Sequence, residues 1–226
     1  MTASITRDRL LCRLVIAVAL AAGAASPADA EIIWTNYTTG SGLANDVVRG
    51  VYATGSTVYA ATSGGLSIST DSGASWTNRT TANGLGNNNV RGVYAAGSTI
   101  YAATTGGLSI STDSGASWTN RTTANGLGSN TVYGVYAAGS TVYAATALSL
   151  SISTNNGTNW TNYTTGSGLG NNIVNGVYAA GSTIYAATSG GLSVGVVAVP
   201  EPSTYAMALA GLACGGYSLF RRRRAR

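Results

Sequence analysis

The sequence STDSGASW occurs at residues 69–76 and again, unchanged, at residues 111–118. A third, altered copy, STNNGTNW, occupies residues 153–160. The same 42-residue step separates Trp34, Trp76, Trp118 and Trp160, and residues 34–75 agree with residues 76–117 at 33 of 42 positions. Such similarity at a fixed period indicates that one supersecondary unit has been duplicated.

Each repeat unit contains four short runs of apolar or β-branched residues, separated by clusters of Gly, Asn and Ser. In the second unit these runs are NVRGVYA (89–95), TIYAAT (99–104), LSIST (108–112) and SWTNRT (117–122). Four strands in about 40 residues are typical of one propeller blade. The sequence therefore predicts an all-β fold, a β-propeller of four blades of about 42 residues and four strands each, over residues 31–198.

The recurring octapeptide has residues suited to a tight turn. The carboxylate of Asp71 can accept hydrogen bonds from backbone N–H groups of its own turn, Gly73 can take a positive φ, and Trp76 can cover the turn. The pattern S-x-D-x-G-x-x-W resembles the Asp-box of many β-propellers, which implies a structural role. The matching residues are Ser69, Asp71, Gly73 and Trp76, then Ser111, Asp113, Gly115 and Trp118, and, with Asn replacing Asp, Ser153, Asn155, Gly157 and Trp160.

The remainder of each unit, NGLGNNNVRGVYAAGSTIYAATTGGLSIS at residues 83–111, resembles the two-component-regulator propeller repeat. That resemblance implies the fold of periplasmic sensor propellers. It does not carry the signalling role, because no kinase or transmitter sequence accompanies the repeats. The third unit departs from the pattern, with Ala147 and Leu148 in the usual SGG segment.

The two ends of the repeat array complement each other in sequence. Residues 31–37, EIIWTNY, have the pattern of a fourth strand with no blade before it, and the last unit offers only three strands up to LSVGVV. We therefore expect the N-terminal strand to complete the last blade and close the ring, which would remove the exposed strand edges. An open stack of blades is the alternative.

Residues 1–30 have the pattern of a secretory signal peptide. Three arginines precede the apolar run LVIAVALAAGAA (14–25), and the small residues ADA end at Ala30, the expected site of signal peptidase. The alternative, a membrane anchor, is disfavoured because a run of about 12 residues is short for a bilayer.

Residues 199–226 combine a Pro-Glu-Pro motif, an apolar stretch at 203–220 and a basic end. The apolar stretch is long enough for a transmembrane helix, and the arginines favour a cytoplasmic end. This tail resembles the PEP-CTERM sorting signal of Gram-negative bacteria. The resemblance implies export, transient inner-membrane anchoring and cleavage by an exosortase, in an exopolysaccharide-producing host. The sorting residues would be Pro200, Glu201, Pro202, Arg221, Arg222, Arg223 and Arg224.

The net charge of +5 belongs to the two ends of the chain. Residues 31–198 carry four carboxylates and four arginines, and this neutral balance argues against a nucleic-acid partner. No His is present, and no Cys or carboxylate cluster suggests a metal site or a cofactor. Two of the four carboxylates, Asp71 and Asp113, are assigned to turns, so we expect no enzymatic activity.

Two columns of repeat positions differ in charge and aromaticity while their surroundings are repeated. One column is Arg49, Arg91, Tyr133 and Asn175, and the other is Tyr37, Arg79, Arg121 and Tyr163. Because Arg and Tyr are common contact residues, these columns are candidate ligand contacts; drift at exposed positions is the alternative. The asparagines at 36, 78, 120 and 162 also match the glycosylation sequon.

These features predict an exported, non-catalytic β-propeller that acts as a binding or structural module of the cell envelope or extracellular matrix. Its expected partners are signal peptidase, an exosortase, the membrane through its C-terminal helix, and a polysaccharide or an envelope protein. A periplasmic sensor or accessory propeller for a membrane signalling partner is the first alternative. A glycosidase-like enzyme is the second.

Overall fold

The computed structural model describes residues 32–197. The predicted signal peptide (1–30) and the predicted sorting signal (199–226), with its apolar stretch at 203–220, lie outside the described residues. The chain divides into two units, Met1–Asn36 and Tyr37–Arg226. In the first unit, residues 32–36 form neither helix nor strand, so the regular structure described below belongs to the second unit.

Within residues 32–197, fifteen strands form four antiparallel sheets, one for each repeat unit. The first sheet contains β1 (Val48–Thr54), β2 (Thr57–Thr62), β3 (Gly65–Ser69) and β4 (Thr77–Arg79). The second contains β5 (Val90–Ala96), β6 (Thr99–Thr104), β7 (Gly107–Ser111) and β8 (Thr119–Arg121). The third contains β9 (Val132–Ala138), β10 (Thr141–Thr146), β11 (Leu150–Ser153) and β12 (Thr161–Tyr163), and the fourth β13 (Val174–Ala180), β14 (Thr183–Thr188) and β15 (Gly191–Val196).

Within each sheet the strands follow their order in the sequence, so each sheet is a meander. The register pairs Tyr52 with Tyr59 in the first sheet and Tyr94 with Tyr101 in the second. The strands of the second sheet lie within three residues of the predicted runs at both ends. The predicted all-β, propeller-like fold with one antiparallel sheet for each repeat unit is confirmed, and the fourth sheet has three strands within residues 32–197.

A short 3₁₀ helix follows the last strand of each of the first three sheets, at Thr81–Asn83, Thr123–Asn125 and Thr165–Ser167, and another lies at Thr39–Ser41. After this helix, three hydrogen bonds connect the chain to the outer strands of the sheet. In the first sheet the N–H of Ala44 donates to Ser67 Oγ (2.9 Å), Ser67 Oγ donates to Asn78 Oδ1 (2.7 Å), and Asn78 Nδ2 donates to the Gly42 carbonyl (2.9 Å). Three asparagines that match the sequon therefore use their side chains in hydrogen bonds of the fold: Asn78, Asn120 and Asn162.

Successive sheets stack through two different faces. The front face of the first sheet, with Tyr59, Ala61, Leu66 and Ile68, packs against the back face of the second, with Val90, Ala95, Ile100 and Ala102. The equivalent residues meet between the second and third sheets and between the third and fourth. The core is therefore three separate layers, one in each gap between sheets.

The expected closure by the N-terminal strand differs from the structure. Residues 32–38 form no strand, and β15 is the last strand of a three-stranded sheet within the described range. Leu66 of the first sheet is 0% exposed while its repeat counterpart in the fourth sheet, Leu192, is 68% exposed. Val90 is 0% exposed while its counterpart in the first sheet, Val48, is 45% exposed.

The physical reason is that the step between successive sheets, taken three times, does not bring the fourth sheet back onto the first, so the outer faces of both stay exposed. A Cβ added to Gly50 would lie 3.4 Å from the Cα of Gly92, and one added to Gly134 would lie 3.5 Å from the Cα of Gly176. A Cβ on Gly176 would meet no atom within 4 Å. Within residues 32–197 the front face of the fourth sheet is therefore uncovered, as in the open alternative.

Candidate functional site

The Asp-box turns are built as their residue types suggest. Asp71 Oδ1 accepts hydrogen bonds from Ser69 Oγ (2.7 Å) and the N–H of Ser75 (2.9 Å), while Oδ2 accepts one from Ser75 Oγ (2.6 Å). Gly73 has φ = 97°, as predicted, and its N–H donates to Ser69 Oγ (2.8 Å). Ser72 also has a positive φ, 59°, which sequence reasoning missed because serine has no special preference for that region.

These hydrogen bonds determine the ionisation of the two carboxylates. Donation by the Ser75 hydroxyl, followed by that of Ser69, lowers the pKa of Asp71 to about 2. Donation by the Ser117 hydroxyl, with the Ser117 N–H and the Ser111 hydroxyl, lowers the pKa of Asp113 to about 2. A general acid or base is most effective when its pKa lies near the working pH, so these two carboxylates are suited to turn formation and not to proton transfer.

The third Asp-box keeps the same turn without a charge. Asn155 Oδ1 accepts from Ser153 Oγ (2.9 Å) and from the N–H of Asn159 (2.9 Å). The tryptophans that end the second and third boxes pack against the core layer behind their own sheet, Trp118 on the first layer and Trp160 on the second. The box therefore joins one sheet to the preceding one.

The first column of candidate contacts follows the first strands, which lie against one another from sheet to sheet. Arg49 and Asn175 are exposed, while Arg91 and Tyr133 are half-buried. The guanidinium carbon of Arg91 lies 5.0 Å from the centre of the Tyr133 ring, a cation–π contact that holds the arginine on the neighbouring strand. The structure thus brings Arg91 and Tyr133 together on one surface.

A ladder of tyrosines runs along the same strands and was not recognised as a functional feature from sequence. The ring centroids of Tyr52 and Tyr94 are 5.0 Å apart, those of Tyr94 and Tyr136 are 5.1 Å apart, and those of Tyr136 and Tyr178 are 4.8 Å apart. Burial, followed by the neighbouring phenols, raises the pKa of Tyr94 and of Tyr136. The sequence did contain a signal for this ladder, namely a tyrosine repeated every 42 residues. Such a tyrosine on an edge strand forms a row when the sheets stack.

We call the first column and this ladder together the first-strand surface. Its charge comes from two arginines, Arg49 and Arg91, and its neutral phenols offer both hydrogen-bond donors and aromatic faces. Such a surface suits an extended ligand that carries hydroxyl or anionic groups. No three His, Cys, Asp or Glu side chains cluster within residues 32–197.

Three members of the second column, Arg79, Arg121 and Tyr163, end the fourth strands at the opposite edge of the sheets, and Tyr37 lies in the segment before the first sheet. The ring of Tyr37 lies 2.7 Å from the position of a Cβ at Gly73, and Arg79 Nε lies 3.6 Å from that position at Gly115. Tyr37 also makes an edge-to-face contact with Trp76, with ring centroids 5.7 Å apart. Tyr37 and Arg79 therefore cover the next Asp-box, and the structure does not bring the two columns together.

The C-terminal segment matches a family model over residues 198–224, described as the PEP-CTERM protein-sorting motif. The chain carries a PEP-CTERM sorting motif. The match includes the predicted Pro200, Glu201 and Pro202 and the arginines at 221–224. In the part of the chain that the structure describes, no helix is long and apolar enough to cross a membrane.

Several solved structures are similar to this chain. An ancestral GH74 enzyme is 23% identical, with 70% of this chain and 25% of that chain covered, at a TM-score of 0.51. The computationally designed Ika4 protein is 5% identical, with 67% and 92% covered, at a TM-score of 0.51. The extracellular domain of a one-component system from B. thetaiotaomicron is 17% identical, with 73% and 28% covered, at a TM-score of 0.43.

The chain spans about a quarter of the length of the GH74 enzyme, and at this identity the likeness concerns the fold alone. No curated protein sequence is significantly similar to this chain.

Proposed function

We propose that this protein is an exported, non-catalytic binding or structural module of the Gram-negative cell envelope, released or retained through exosortase processing of its C-terminal tail. The observation that carries the proposal is the PEP-CTERM motif at residues 198–224, directly after the repeat array. The motif implies that the array reaches the outer side of the inner membrane before it acts. The hydrogen-bonded state of Asp71 and Asp113 supports a role without proton-transfer chemistry.

The proposed processing is tested by replacing Glu201 with Ala in a host that has an exosortase. We expect export and anchoring to persist and release of the array to fall, because the Pro-Glu-Pro segment is the proposed cleavage signal. Ser203→Ala, two residues away, is the matched control and should be released normally. Release of the Glu201→Ala protein at the control level would contradict the proposal.

We further propose that the first-strand surface contacts the ligand, and that this ligand is a polysaccharide or another extended envelope polymer. The support is the row of phenols and the Arg91–Tyr133 pair, both of which are carried by the first strands of the sheets. A glycan-array screen would identify the polymer. Arg91→Ala should weaken the binding found, about tenfold for a contact residue, while Arg121→Ala, on the opposite sheet edge, should leave it unchanged. Equal loss in both variants would contradict this location.

A further inference from the structure

The fourth sheet lacks several contacts that its repeat counterparts make. Its front face exposes Tyr185, Ala187 and Leu192, whereas the equivalents in the first sheet, Tyr59, Ala61 and Leu66, are buried by the next sheet. At the other end of the array, the back face of the first sheet exposes Val48 and Val51. These two exposed faces are the two halves of the interface that the chain forms three times internally.

The outer strand of the fourth sheet also lacks hydrogen-bond partners that the third sheet has. In the third sheet Ser151 Oγ donates to Asn162 and Asn162 donates to the Gly126 carbonyl. In the fourth sheet Ser193 accepts from the Gly170 N–H (2.9 Å), but no asparagine within residues 32–197 takes the place of Asn162. One repeat further, position 204 is a threonine, while the asparagine of that column also occurs at position 36.

A cavity of about 440 Å³ lies between the third and fourth sheets, lined by Ile152, Gly168, Leu169, Ile184 and Val194 among others. In the preceding gap the equivalent isoleucine, Ile110, is covered by the Asp-box of the third sheet, where Trp160 packs on the same layer. One repeat after Trp160 the sequence has Pro202. The tryptophan of that column is found instead at Trp34, whose side chain is exposed.

We infer that a second copy of this chain docks head to tail, with the back face of its first sheet on the front face of the fourth sheet. The first sheet of this copy would follow the fourth sheet with the same relative placement that successive sheets have within one chain. The first sheet of the same chain does not occupy that place. Its residues 34–37 precede its first sheet, at the repeat positions that the fourth sheet lacks. The same copy would therefore cover the apolar face, the open edge of β15 and the cavity.

The interface joins two different faces, so each copy has one of each. Two copies that bend enough would close a ring with two such contacts, and copies that do not would form a longer row. Both outcomes follow from the same contact. An association of two identical faces would instead involve one end of the array only, which separates the two cases experimentally.

The test measures the molar mass of the full chain by light scattering over a range of concentrations, after expression in a Gram-negative host and extraction in mild detergent where the membrane retains it. We expect a mass of at least two chains. Leu192→Glu and Val51→Glu each place a charge in the proposed contact while altering a side chain that is exposed in the single chain. Each should weaken association about tenfold or more. Leu148→Glu is the matched control, because Leu148 is 59% exposed but lies outside both faces.

Mixing the two variants provides the decisive measurement. The Leu192→Glu chain keeps an intact first sheet and the Val51→Glu chain keeps an intact fourth sheet, so a 1:1 mixture should form pairs although neither variant associates alone. A wild-type mass of one chain throughout would overturn the proposal, as would association that survives Val51→Glu. Association that appears only after deletion of residues 32–36 would also overturn it, since the chain's own N-terminal segment would then cover the fourth sheet.

Discussion

Gly65 illustrates how single residues set the geometry of each sheet. Its φ is +147°, and a Cβ there would lie 2.5 Å from the carbonyl oxygen of Arg79 on the neighbouring strand. In the third unit the same position is Ser149, and β11 begins one residue later, at Leu150. There the Thr146 N–H donates to the Ser149 carbonyl (3.0 Å). The altered SGG segment noticed in the sequence thus shortens one strand without removing it.

Gly65→Ala is expected to destabilise the protein more than Gly97→Ala. Gly97 also has a positive φ, +59°, but a Cβ there meets no atom within 4 Å, so the cost is the conformational one of about 1–2 kcal/mol. At Gly65 a clash with backbone adds about 1–3 kcal/mol. Urea unfolding of the two variants measures the difference, and equal free energies of unfolding would show that the sheet yields at Gly65.

The Asp-box carboxylates should make stability depend on acid pH. The pKa of Asp71 and that of Asp113 fall from 3.8 to about 2 in the folded protein. A depressed pKa contributes stability above the unfolded value, and that contribution is lost as the pH falls from about 4 to about 2. We expect the melting temperature to decrease over this range, and to decrease less in the Asp71→Asn, Asp113→Asn double variant.

Asn155 already occupies the equivalent position without a titrating group, so the double variant is expected to fold. Melting curves of both proteins at several pH values test the prediction. Parallel decreases in the two proteins would assign the acid sensitivity to other groups.

At the scale of the element, the sheets are alike in sequence but differ in what surrounds them. Leu108 and Leu192 occupy the same repeat position in β7 and β15, yet Leu108 is fully buried and Leu192 is exposed. The difference arises because the second sheet has a neighbour in front of it and the fourth has none within residues 32–197. Burial of a repeat position therefore depends on its place in the array.

Leu108→Ala is expected to cost about 2–5 kcal/mol of unfolding free energy, since it removes a buried side chain from a packed layer. Leu192→Ala should change stability by less than about 0.5 kcal/mol. Both are measured in the Val51→Glu background, so that association does not protect Leu192. Equal costs at the two positions would mean that a segment of the same chain covers the fourth sheet.

At the scale of the whole molecule, the array and the sorting tail have separate tasks. The array has a neutral balance of charge over residues 31–198, while the basic residues concentrate at the two ends. Moving four adjacent arginines through hydrocarbon is costly, so the tail should remain on the cytoplasmic side while the array is outside. Under the proposed function, processing would then decide whether the array stays at the membrane.

Mass spectrometry of material released from an exosortase-containing host is expected to show a form that begins near Glu31 and lacks the arginines at 221–224. The N-terminal end follows from the predicted signal peptide, and the C-terminal end from cleavage near the Pro-Glu-Pro segment. A host without the exosortase should retain the full C-terminus at the membrane. Released protein that ends at Arg226 would contradict this processing.

Much of the fold was accessible from the sequence because each repeat unit is a local structure. The strands, the turns at Asp71 and Gly73 and the four-sheet organisation depend on contacts within about 40 residues, and the pattern of β-branched residues and glycines records them. The sorting motif could also be predicted from sequence, since it depends on the order of residues along the chain. These features were predicted because neighbours in sequence produce them.

The tertiary structure alone decided which faces are covered and which columns meet. The sequence contains a fourth-strand pattern at residues 31–37, but whether it completes the last sheet depends on the angle between successive sheets, which no local pattern records. Likewise Arg91 meets Tyr133 and the tyrosines form a ladder because the first strands stack, whereas the Arg79 column lies across the sheet. Packing between units depends on many weak contacts between residues that are distant in sequence. The relative placement of the sheets is therefore known only from the tertiary structure.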